Sequence, residues 1–188
     1  MNYYIADLHI NHNNVIKFDN RPFSSVIEMN DTILHNWNSV VSKNDTVYII
    51  GDFIWDKESA WEEIIKSFNG HKVLIRGNHD PKQFSYKVKN LFDDIKDYKE
   101  ISDNGRTVIM CHYPIPFCKK TYDENTYMLY GHVHTTREYD FMNDFRNIIL
   151  NSRIKPNDAR GQFINVGCML PYMNYTPKTL DQLIETAL

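Results

Sequence analysis

Between Asp7 and His134 the chain carries a series of side chains able to bind a cation or move a proton. Each group directly follows a short apolar run. Tyr3–Ala6 leads into "DLH", with Asp7 and His9. Val47–Ile50 leads into "GD", with Asp52. Lys72–Ile75 leads into "RGNHD", with Asn78, His79 and Asp80. Thr107–Cys111 leads into His112, and Thr126–Tyr130 into "GHVH", with His132 and His134. Singly, these are ordinary. Asp-x-His is common in surface loops, Gly-Asp in turns, and a lone histidine suits a hydrogen-bonded, partly buried site. Five such groups, each at the end of a strand-like run, point to one shared site.

The donors Asp7, Asp52, Asn78, His9, His112, His132 and His134 form a mixed nitrogen and oxygen set without thiolate. Such a set suits Mn, Fe or Zn in a reactive centre, not a cysteine-type structural zinc. Seven donors exceed the need of one ion and suit two. Two-metal sites hold their ions roughly 3.5–4 Å apart, activate a water and clamp the oxygens of a displaced phosphoryl group.

The elements that must position these residues show in the hydrophobic pattern. The short Val-, Ile- and Tyr-rich runs, with Phe163–Val166, predict strands buried on both faces. In Ser24–Val41, Val26, Met29, Ile33, Trp37 and Val40 recur at helical spacing behind Ser25-x-x-Glu28, a capping box. Lys57–Phe68 predicts a second helix, closed by Asn69-Gly70. A third begins at Thr179-x-x-Gln182. Alternating strands and helices predict an α/β fold, and sites in such sheets form beyond the carboxyl ends of strands. Asn104-Gly105 between two strand-like runs predicts a hairpin, so part of the sheet is expected to be antiparallel. "NSRIKPNDARGQ" (Asn151–Gln162) reads as a surface loop. No repeat or linker divides the chain, and one domain over 1–188 is expected.

The 188 residues carry a net charge of −3, which argues against a dedicated nucleic-acid binder; nucleic acid enters only as a substrate. No run approaches the ~20 apolar residues of a membrane span, and no signal peptide is evident. Three cysteines without C-x-x-C spacing predict no disulfide framework and a reducing, cytoplasmic setting. Oligomeric state is left open.

Taken together, "DLH … GD … GNHD … H … GHVH" resembles the calcineurin-like metallophosphoesterase superfamily. The flanking "RPF", long helix and "NWN" resemble small single-domain bacterial or phage-type members. The resemblance implies a four-layer α-β-β-α sandwich with mixed β-sheets. It implies that Asp7, His9 and His134 bind one divalent ion and that Asn78, His112 and His132 bind the other, with Asp52 bridging. Mn or Fe is favoured as the metal, and Zn would also fit. His79 would then protonate the leaving group, oriented by Asp80, while a bridging hydroxide attacks phosphorus. The implied activity is a dinuclear metal-dependent phosphoric ester hydrolase, a phosphodiesterase or phosphatase acting on a small phosphate ester. Two departures stand out. "GDFIWD" places Trp55 where many members have the second acidic residue, and Ile10 stands where many have glycine.

Substrate contacts are expected from Arg21 and His12, with Arg76, Arg137 and Arg160 as further phosphate-binding candidates. Tyr113, Pro114 and Phe117 could wall the pocket and stack on a base. Lys82, Lys87 and Lys89 read as a solvated basic face. Two other classes compete: a non-catalytic scaffold of the same fold used for protein interaction, and a single-iron oxygenase. The first conflicts with a complete set of motif residues. The second leaves Asn78, His79 and the second histidine pair unexplained.

Overall fold

A computed structural model describes residues 1–121, 123–151 and 162–188, with the side chain of Leu150 left out. Four strands form the first sheet: β1 (Asn2–Ile5), β2 (Thr46–Ile49), β3 (His71–Ile75) and β4 (Asp94–Lys96), in that order and all parallel. The second sheet holds β5 (Tyr98–Asp103), β6 (Arg106–Cys111), β7 (Thr126–Tyr130) and β8 (Gln162–Asn165). There β5–β6 is antiparallel and the other pairs are parallel. The expected hairpin is this antiparallel pair: Asn104 (φ 49°) and Gly105 (φ 81°) form its two-residue turn, the conformation that Asn-Gly favours.

Side-chain alternation explains the layering. In the second sheet, Val108, Met110, Tyr127, Leu129 and Ile164 face a core shared with the first sheet. Their neighbours Ile109, Met128, Tyr130 and Phe163 face the opposite way, onto Met142 and Ile149. Those two belong to helix α5 (Arg137–Asn151). A period of two is what a strand buried on both faces requires. On the far side of the first sheet lie α2 (Val26–Val40) and α3 (Glu58–Ser67). The result is helix, sheet, sheet, helix. Short helices α1 (Val15–Phe18) and α4 (Tyr86–Lys89) and the C-terminal α6 (Leu180–Ala187) complete the order.

Helix α2 follows its predicted stripe only in part. Met29, Ile33 and Trp37 are fully buried, each worth about 1.5–3 kcal/mol of transfer free energy. Val40 runs off the end of the interface and is exposed. Ser25 caps the helix by accepting from the Glu28 amide at 3.2 Å, but the Glu28 carboxylate returns to Ser24 instead of Ser25. The capping box at Thr179 and Gln182 is complete. Helix α3 ends at Phe68 in an extended conformation, and the left-handed turn falls at Gly70 (φ 84°). Two elements carry no strong sequence signature. Strand β4 is a three-residue edge strand, Asp-Ile-Lys, and α5 presents apolar side chains on one narrow face. Most of the loop expected over Asn151–Gln162, with Arg160, lies outside the described residues; Gln162 itself begins β8.

Candidate metal centre

The five groups converge at the carboxyl ends of their strands, where the two sheets meet. Past β1, Ala6 pairs with Gly167, which joins the first sheet to the segment after β8. Around this seam the backbone is strained in a revealing pattern. Asp7 (φ 56°), His9 (φ 51°), Asp52 (φ 54°), His132 (φ 69°) and His134 (φ 45°) all adopt the left-handed region. Each such residue costs of order 1–3 kcal/mol, a strain that collects at functional sites. Left-handed backbone lets a strand end reverse within one residue and aim its side chain back across the sheet edge.

Glycines make room for the donors. A Cβ on Gly51, itself at φ 87°, would lie 2.1 Å from His112 Nδ1. One on Gly77 would lie 2.2 Å from Asp52 Oδ1. The "G" of "GD" and of "RGNHD" thus lets two donor-bearing loops touch.

The histidines are oriented by what their other nitrogens hold. His112 Nδ1 sits 2.9 Å from the Ile50 carbonyl, which leaves Nε2 at 3.0 Å from Asn78 Oδ1 and 3.5 Å from Asp52 Oδ2. His134 Nδ1 is 2.6 Å from Asp19 Oδ1, and its Nε2 lies 3.7 Å from Asp7 Oδ1. His9 Nε2 lies 3.4 Å from His134 Nε2 and 3.6 Å from Asp52 Oδ2. Asp52 is therefore nearly equidistant from His9 and His112. Its other oxygen is held by the His79 amide at 2.9 Å. The Asp7 carboxylate accepts from the His132 amide at 3.1 Å. The His132 ring packs 5.1 Å from His112 and 4.5 Å from Tyr113.

Donor atoms fall into two candidate cation groups, Asp7–His9–His134 and Asp7–Asp52–His112, each with its atoms within 4.8 Å of one another. Nitrogen lone pairs and carboxylates crowded this closely need protons or cations between them. The donor chemistry fits divalent metal.

The electrostatics agree with that crowding. Burial works to raise the Asp52 carboxyl, but the His112 hydrogen bond and charge override it and bring the pKa down to about 2. For His112, burial works downward and the hydrogen bond to Asp52, with the charges of Asp7 and Asp52, holds it up at about 9. Burial pushes His9 down to about 3 and raises fully buried Asp7. His134 is raised against its burial by the Asp19 hydrogen bond.

Several expected roles change. Asp80 does not orient the His79 ring. Its buried carboxylate accepts from the amides of Asp52 (2.9 Å), Phe53 (3.0 Å) and Gly77 (2.8 Å). It locks the loops after β2 and β3 together, and three amide donors occupy both of its oxygens. The His79 ring instead packs 4.8 Å from Trp55, edge to face. Arg21 is buried, and its guanidinium is consumed by Asp19, the Leu8 and Asp7 carbonyls and Met29 sulfur. It has no donor to spare for a phosphate, and it buttresses the Asp7 loop from behind. Arg76 is taken by Asp97 (2.8 and 2.7 Å) and by the Lys82 carbonyl. Lys87 pairs with Glu62.

Two features were not legible. Asp19 bridges Arg21 and His134, a carboxylate behind a ligand histidine of the kind that fixes tautomer and aim; its only sequence hint is its place in "FDNRPF". Trp55, the departure in the second block, stacks on His12 at 4.1 Å and 12°. It therefore builds an aromatic lip carrying His12 and His79, while Asp56 accepts from the Asn11 amide group at 2.7 Å.

Among the described residues no helix is long and apolar enough to cross a membrane. Comparison with known proteins agrees with the geometry. The model of the calcineurin-like phosphoesterase family matches residues 3–174. The uncharacterized protein MJ1445 of Methanocaldococcus jannaschii is 35% identical over 187 residues, covering 97% of this chain and 89% of that protein. The Gene 66 protein of Mycobacterium phage L5 is 37% identical over 83 residues, 42% of this chain and 39% of its own length. In structure the chain is similar to AQ665 of Aquifex aeolicus, a protein of unknown function, with TM-score 0.64, 26% identity and coverage of 100% and 99%. The family match spans both sheets and every strand end that carries a donor, so the chain belongs to the calcineurin-like phosphoesterase family.

Proposed function

We propose that this protein hydrolyses a small phosphodiester or phosphomonoester at a centre for two divalent cations, Mn or Fe foremost. The observation that carries this reading is the position of Asp52 Oδ2, 3.6 Å from His9 Nε2 and 3.5 Å from His112 Nε2. It suits one carboxylate serving two sites. Asp7, His9 and His134 would hold the first ion; Asn78, His112 and His132 would hold the second. Bound there, the ions would supply an acidified water and neutralise charge on the phosphoryl oxygens.

The chain's own groups do the rest. His79 is exposed beside the centre, held by Trp55 and by the hydrogen bond its backbone N–H donates to Asp52. It would donate the proton that the leaving alkoxide needs. His12, stacked on Trp55 at the same lip, would contact a phosphoryl oxygen. No covalent enzyme intermediate is required. A non-catalytic scaffold is disfavoured because each position of the motif set is filled.

Metal analysis and a Mn²⁺-loaded assay with bis-nitrophenyl phosphate, nitrophenyl phosphate and cyclic nucleotides test this reading. Two ions per chain and turnover of at least one ester are expected. Asp52→Asn should lose both, and near-normal turnover in that variant would overturn the two-ion account. His79→Ala should slow esters with poor leaving groups far more than nitrophenyl esters.

A further inference from the structure

His79 has a fixed backbone but a ring that no polar group aims. Its backbone N–H donates to Asp52 Oδ1 at 2.9 Å. The neighbouring carboxylates are committed elsewhere: Asp80 to three amides, and Asp56 to the Asn11 side chain and the Lys57 amide. Among the described residues, none offers the His79 ring a hydrogen bond. What the ring meets is aromatic: Trp55 at 4.8 Å, edge to face, and His9 at 5.8 Å. Trp55 is itself anchored. Its N–H donates to the Ile10 carbonyl at 2.8 Å, next to the Ile10–Ile54 bridge. His12 lies flat on the Trp55 indole at 4.1 Å and 12°, and the Asn11–Asp56 bond at 2.7 Å ties the same two loops together. Both rings line an open groove of about 570 Å³, with Trp61, Pro81 and Asn78. The groove thus reaches an expected metal ligand and the expected proton donor.

We propose that Trp55 is the positioning residue for His79, fixing its ring at the edge of this groove where the leaving group of the ester lies. The inference rests on the phosphoesterase reading and deepens it by naming what aims the proton donor. The outer torsion of an imidazole is broad, so a ring without a hydrogen bond wanders unless packing confines it. Proton transfer needs the ring nitrogen within hydrogen-bond reach of the leaving oxygen, and a misplacement of about 1 Å costs on the order of a hundredfold. A carboxylate partner would aim the ring by occupying one of its nitrogens. An indole aims it by shape and leaves both nitrogens free. Trp55 is 43% exposed, and its backbone, not its ring, carries the bond to Ile10. The core therefore does not demand an indole here, whereas the His79 ring does.

The test compares Trp55→Ala, Trp55→Phe, His79→Ala and the double variant Trp55→Ala/His79→Ala, all Mn²⁺-loaded. Metal content is measured, with kcat and KM on an alkyl and on a nitrophenyl phosphate ester. Trp55→Ala should keep its metal and lose about ten- to a hundredfold in kcat on the alkyl ester. Its loss on the nitrophenyl ester, whose leaving group needs no proton, should be far smaller. Trp55→Phe should restore most of the loss. In the double variant the two losses should not multiply, because a ring that is absent cannot be misplaced. Equal losses on both esters, a fall in metal content, or losses that multiply would overturn the proposal. Order of the His79 ring is a readout independent of turnover. NMR relaxation of labelled histidine ring carbons, in the diamagnetic Zn²⁺-loaded protein, should show a rigid ring in the parent and in Trp55→Phe and a mobile one in Trp55→Ala. A ring equally rigid in Trp55→Ala would overturn the proposal whatever the activity. A ring released in Trp55→Ala, in a protein that turns over no ester, would support the positioning and sink only the hydrolysis reading.

Discussion

The two sheets contribute chemically different halves to one centre. The first, wholly parallel, supplies all the oxygen donors, Asp7, Asp52 and Asn78, and the single histidine His9. The second, mixed sheet supplies three histidines, His112, His132 and His134. Neither half alone brings together the donors of the candidate centre. Carboxylates without imidazoles would repel each other, and the imidazoles owe their aim to groups of the first half, Ile50 for His112 and Asp19 for His134. The candidate centre therefore lies at the seam between sheets, and it can be broken from either side.

The most damaging change should be at the contact of the halves. Gly51→Ala would force a Cβ into His112 Nδ1 and hold a left-handed backbone without glycine. A loss of several kcal/mol is expected, with about 1–2 from the backbone alone and the remainder from displacing His112. Denaturant unfolding checks this, and a variant within about 1 kcal/mol of the parent would show the seam to be soft.

Next comes a change in the first half that is felt by a histidine of the second. Asp19→Asn removes the charge behind His134 but keeps the shape. Metal affinity should fall about 10–100-fold, as for other carboxylates behind ligand histidines. One ion per chain should be lost before the other on dialysis against chelator, as also in His134→Ala. Simultaneous loss of both ions would contradict the separate assignment.

The pair that crosses the seam sets a pH dependence. Asp52 is depressed from 3.8 to about 2, so its stabilisation is present above 3.8 and lost as pH falls through about 2. His112 is raised from 6.5 to about 9, so its stabilisation is full below 6.5 and lost as pH rises through about 9. The melting temperature of metal-free protein should therefore decline between pH 6.5 and 9. Metal must displace the His112 proton, so loading should strengthen over the same range and the loaded protein should not share the decline. Parallel curves with and without metal would argue against His112 as a ligand.

The smallest effect belongs to the opposite end of the first sheet. There Asp45 accepts from the Met1 amino group at 2.5 Å and from Ser42, which holds it down at about 2. Asp45→Asn should cost about 1 kcal/mol, because the Met1 amino group opposite the buried Asp45 is solvent-exposed, with the difference vanishing as pH falls through about 2. Metal content should be unchanged.

Much of the centre was legible because its residues must follow strands. The apolar runs mark the strand ends, and a donor at each end needs no long-range knowledge. Asp80 and Arg21 were misjudged for one shared reason. Residue type and proximity in sequence suggested chemistry, but burial turned both inward onto backbone groups. Helix α5 escaped because, among the described side chains, Tyr139, Met142, Phe145 and Ile149 mark a narrow face amid charges.

The sequence by itself determined the donor inventory, the strand ends that carry it, the Asn-Gly hairpin and the family. Those depend on local pattern, which a linear chain displays. Only the tertiary structure decided which nitrogen of each histidine faces the centre, that Asp19 aims His134, and that Trp55 carries His12 and His79. Those relations join residues far apart in the chain. They exist only once two sheets pack face to face and the close approaches at Gly51 and Gly77 bring the halves into contact.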